Sequence, residues 1–71
     1  MTEKRIHELM LLGETLSVQY TEPPIYNVGV DRITPLKFHK YLKKNKHLLS
    51  WRTEVNNKNV TITHYYYDKT N

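Results

Sequence analysis

Residues 34–55, TPLKFHKYLKKNKHLLSWRTEV, carry a helix into a strand, and this passage decides the fold. Thr34 is a natural N-cap, and Pro35 occupies the first helical position, where a missing N–H loses no hydrogen bond. With a turn of about 100° per residue, Phe38, Tyr41 and Leu42 fall on one side, with Asn45 beside them. Lys37, Lys40, Lys43, Lys44 and His47 gather on the other. Leu36 lies outside the apolar stripe and can cover the helix entrance. The helix should end near Asn45 or Lys46. From Leu48 to Val55 the apolar period drops to two, and Leu49, Trp51 and Val55 share one face of a strand.

Forward of this passage, Asn56-Asn57-Lys58-Asn59 reads as a turn, because asparagine tolerates a left-handed backbone. Val60 to Tyr67 then returns as a second strand, with Val60, Ile62, His64 and Tyr66 on one face. Behind it, Thr2 to Leu12 has a capping threonine, Glu3 at the positive helix end, and Ile6, Leu9 and Met10 at helical spacing. Gly13 is its natural stop. Leu16 to Tyr20 alternates apolar and polar residues, and Pro23-Pro24 ends that strand, since proline cannot donate to a ladder. Ile25 to Val30 is another strand, with Tyr26, Val28 and Val30 on one face. Residues 16–30 form either a hairpin or an irregular connection. The order α-β-β-α-β-β implies an α+β domain. Its sheet is antiparallel, of three or four strands, with two helices on one face. The alternative is a winged helix, with residues 35–46 as recognition helix and the last hairpin as wing.

Seventy-one residues allow one domain, 1–71, with disorder expected at 1–2 and 68–71. A chain this short buries only about 60% of its unfolded surface. It has no cysteine, so disulfides and thiolate zinc sites are excluded, and self-association as a homodimer is the expected extra source of stability. The longest apolar run, Leu9 to Leu12, is far short of the roughly 20 residues of a membrane span or the 7–15 of a signal core. A cytoplasmic protein with no membrane contact is expected. In that setting the glycosylation-like Asn59-Val60-Thr61 carries no meaning.

Charge is distributed unevenly. Residues 1–31 hold five acids against two bases, and residues 32–71 hold nine bases against two acids. From Arg32 to Thr53 there are seven bases and no acid. Such asymmetry points to an anionic partner: nucleic acid, or an acidic protein face. Lysines can simply solvate an exposed helix, but a solubilising face usually interleaves glutamate, because like charges four apart repel. Lys37, Lys40, Lys43, Lys44 and Arg52 are therefore candidate phosphate contacts, with Lys58 at the hairpin tip.

The aromatic residues form a second set. Trp51 alternates into the face of Leu49 and Val55, which makes it core, or else an interface anchor. In Tyr65-Tyr66-Tyr67 successive rings must point to opposite faces. If Tyr66 is buried with Ile62, then Tyr65 and Tyr67 stand outside beside Arg52 as candidate interface residues. The same alternation sets Glu54 and His64 on opposite faces.

Nothing indicates catalysis or a cofactor. His7, His39, His47 and His64 are scattered without carboxylates at ligand spacing, so no metal is expected. Gly13 and Gly29 make no phosphate loop, and Ser17 and Ser50 lie in strands without an elbow around them. The dense use of lysine, asparagine and tyrosine resembles small proteins of low-GC Gram-positive bacteria and their phages. That resemblance implies either a DNA-binding accessory factor or an inhibitor that clamps a host replication, transcription or defence enzyme.

Overall fold

Capping chemistry starts and stops both helices. In a computed structural model of the chain, which describes residues 1–68, α1 (Glu3–Leu11) begins at Thr2, whose hydroxyl accepts from the Arg5 N–H at 3.1 Å. It ends in a double closure: Gly13 N–H donates to Met10 and Glu14 N–H to the Leu9 carbonyl. The second bond needs a left-handed residue, and Gly13 supplies it with φ +100°. α2 (Pro35–Asn45) begins at Thr34, whose hydroxyl accepts from Lys37 N–H at 3.2 Å. A 3-10 turn (Lys46–Leu48) passes the chain into β4.

The strands are β1 (Leu16–Gln19), β2 (Ile25–Val28), β3 (Asp31–Arg32), β4 (Leu49–Val55) and β5 (Thr61–Tyr67). They form one antiparallel sheet in the order β3-β2-β1-β5-β4. Residues 16–30 contain a hairpin, with Leu16 opposite Val28 and Gln19 opposite Ile25. The α+β class and the expected helix placement hold. The sheet gains a fifth strand because the chain reverses at Gly29-Val30, and Val30 lies at that reversal, 98% exposed, rather than on the inner face. Gly29 has φ +58°, and a Cβ there would stand 2.5 Å from the Glu14 carboxylate. Gly29→Ala is accordingly expected to destabilise the fold by about 1–2 kcal/mol, read from the midpoint of urea unfolding. The last hairpin is integral to the sheet, so the winged-helix alternative does not apply.

Both helices cover one sheet face and enclose a single apolar cluster that includes Ile6, Met10, Leu16, Val28, Phe38 and Tyr41. Tyr41, fully buried, has its hydroxyl 2.8 Å from His7 Nδ1, which ties α2 to α1. Burial, reinforced by the Glu3 carboxylate, pushes the Tyr41 phenol up from 10.0 to about 12. The folded protein therefore holds this proton more tightly than the unfolded chain. Its contribution, on the order of 2 kcal/mol, should be complete below pH 10 and lost as pH rises through about 12. Unfolding free energies measured across that interval check this.

The register of β4 and β5 reverses one expectation. Trp51 lies opposite Tyr65 and Leu49 opposite Tyr67, and directly opposed residues share a face. Tyr65 and Tyr67 thus pack against the core on the helix side, and Thr63 is buried with them. Ile62, His64 and Tyr66 take the uncovered face with Arg52 and Glu54. Glu54 and His64 are then diagonal neighbours, joined at 2.9 Å, instead of lying on opposite faces. The physical reason is that two short helices cover only part of a long hairpin. Thr63 lies opposite core Val18 and bonds the Tyr20 and Thr53 hydroxyls, where hydropathy alone favours Ile62.

Candidate nucleic-acid interface

The second helix displays the sidedness expected of it. Phe38 and Tyr41 are buried, Leu42 packs on the core, and Lys40, Lys43 and Lys44 are exposed. Phe38 is held by aromatic contacts with Tyr26, at 4.6 Å between ring centres, and Tyr65, at 6.0 Å. Helix rotation is thereby fixed, and Lys40, Lys43 and Lys44 project toward water while Lys37 is half-buried.

The helix field explains only part of this strip. Lys43 and Lys44 lie in the last turn, where cations complement the negative helix end. Lys37 lies in the first turn, which contains no acid, and its charge opposes the positive end of the helix. Nearby groups add to that field. Lys37 Nζ contacts the Met1 carbonyl, and this hydrogen bonding together with the lysine charge lowers the pKa of the Met1 amino group. Among the described residues one carboxylate reaches the strip: Glu3, 3.6 Å from a Lys44 that remains 72% exposed. An exposed pair of this kind contributes little and leaves the ammonium accessible. Beside it, Glu3, Lys4, His7, Tyr41, Lys44 and Asn45 line a shallow groove of about 300 Å³ between the helices.

Lys37, Lys40, Lys43 and Lys44 thus share one element, and two sequence candidates fall away from them. Arg52 is on the sheet face opposite the helices. Lys58 is at the β4–β5 tip, about 20 Å along the strand from the end of α2. Lys46 joins instead. Its ammonium sits 5.2 Å from the ring centre of Trp51, a cation–π distance. On a regular helical wheel Lys46 falls about 180° from Lys37, and the 3-10 turn after Asn45 sets its actual direction. Trp51 is 52% exposed rather than core, since the helices end before they can cover it. Tyr20, also exposed, bonds through its hydroxyl to Thr63 at 3.3 Å on the same side.

Among the described residues no three His, Asp or Glu side chains converge as a metal site, and no helix is long and apolar enough to cross a membrane. The chain matches no protein-family model, no curated protein and no solved structure.

Proposed function

We propose that this protein is a non-enzymatic, phage-type accessory factor that binds nucleic acid by laying the lysine face of α2 along a phosphate backbone. One observation supports this above the others: Lys37, Lys40, Lys43 and Lys44 are held on one helix face by buried Phe38 and Tyr41, and the carboxylate of Glu3 that reaches them leaves Lys44 exposed. Lys37 to Lys44 span roughly 10 Å along the helix axis, a length suited to following successive phosphates. Lys46 above Trp51 extends the cationic line past the helix end.

Contacts of this kind release counterions, so affinity should fall steeply and log-linearly with salt. Fluorescence anisotropy with labelled single- and double-stranded oligonucleotides, from about 50 to 200 mM salt, tests the proposal. No binding at the lowest salt would end it. The companion reading, an inhibitor docking through Tyr65 and Tyr67 on an acidic or DNA-handling host protein, has less support, because those rings pack on the core.

A further inference from the structure

The two sheet edges differ sharply. β3 is two residues long, whereas β4 is a seven-residue edge strand with no proline, lysine or bulge, and its two charges are the opposite pair Arg52 and Glu54. Natural proteins usually blunt such edges with those devices. Among the described residues, β5 is the sole sheet neighbour of β4.

The hydrogen-bond pattern fixes which backbone groups face outward. Asp68 N–H donates to the Leu48 carbonyl, and Asn56 N–H to the Val60 carbonyl, each at 3.0 Å. These bonds bracket the β4–β5 ladder in its own register. Antiparallel pairs alternate between bonded and non-bonded, so Ser50, Arg52 and Glu54 turn their backbone groups toward β5. Leu49, Trp51, Thr53 and Val55 turn theirs toward the open edge.

We propose that this edge pairs with the β4 edge of a second copy of the chain, antiparallel and centred on Thr53. In that register Thr53 bonds its own counterpart, and Trp51 bonds Val55 of the other copy on each side. These exposed apolar residues, 52% and 62% accessible, then cover one another. Arg52 and Glu54 of opposite copies meet twice at non-bonded positions, where side chains approach most closely. Neighbouring registers that suit the same backbone groups fail on charge. Centring on Arg52 sets arginine against arginine, and centring on Glu54 sets glutamate against glutamate. Centring on Trp51 puts Arg52 opposite Ser50. The axis stands normal to the sheet, so one ten-stranded sheet results and both lysine faces lie on the same side of it. The contact is isologous, which closes at two copies.

Sedimentation velocity and amide exchange test this. Wild-type protein should dimerise, and the Trp51, Thr53 and Val55 amides should become protected as concentration rises. Arg52→Glu and Glu54→Arg should each weaken dimerisation, on the order of 100-fold. An equimolar mixture of the two variants should recover it, because each supplies the charge the other lacks. A wild-type protein monomeric to about 1 mM would overturn the proposal. So would concentration-independent exchange at those amides, or single variants that dimerise as the wild type does. The exchange measurement uses unmodified protein, so it decides the matter even if a variant misfolds.

Discussion

Tyr41→Ala is expected to leave the protein largely unfolded at 25 °C. Tyr41 heads the fully buried side chains by volume, and its ring sits between the helices 5.8 Å from that of His7. Truncating a buried aromatic residue costs about 3–5 kcal/mol. Leaving the His7 ring nitrogen without its partner adds to this. A domain of this length has roughly 3–5 kcal/mol in total, so the loss matches the whole stability. Tyr41→Phe keeps the ring, loses only the hydroxyl, and should cost about 1 kcal/mol. Circular dichroism with urea titration separates the two. A cooperative transition for Tyr41→Ala at the wild-type midpoint would contradict the packing described above.

Lys40→Glu/Lys43→Glu should weaken nucleic-acid binding by on the order of 100-fold at low salt and flatten its salt dependence by about two phosphate contacts. Lys43 is a cleaner choice than Lys44, because reversing Lys44 would also set two carboxylates against each other at Glu3. Both substituted residues are exposed, so unfolding should shift only by the loss of the Lys43 charge at the negative helix end, and the protein should remain folded. Equal weakening by Lys58→Gln, at the exposed β4–β5 tip, would show that general net charge matters and not the α2 strip. Salt-independent binding in the double variant, at wild-type strength, would remove the strip from the interface altogether.

The features legible in the sequence were those with local causes. Thr2, Thr34, Pro35 and Gly13 mark helix ends through bonds within a few residues, and the structure places them there. The sidedness of α2 follows from periodicity alone. The Asn56 turn is equally local, since its side chain accepts from the Lys58 and Val60 amides. What escaped depended on distant partners. The inner face of β5 is set by its register with β1, where Thr63 and Tyr65 lie opposite buried Val18 and Leu16, so Thr63 went inside and Ile62 outside. Trp51 lost its cover because the helices end short of it. Lys58 and Arg52 looked continuous with the helix lysines because a charge run in sequence carries no information about strand length or sheet face. Of the expected disorder, residues 69–71 lie outside the described part of the chain.

The strand order has a consequence for how the protein comes into being. β5 is made after every other described element, yet it lies inside the sheet between β1 and β4. Until it emerges from the ribosome, β1 and β4 have no bridge between them, and the N-terminal half can offer the helices only a partial floor. Ordered structure should therefore arise in one step, only after β5 has been translated.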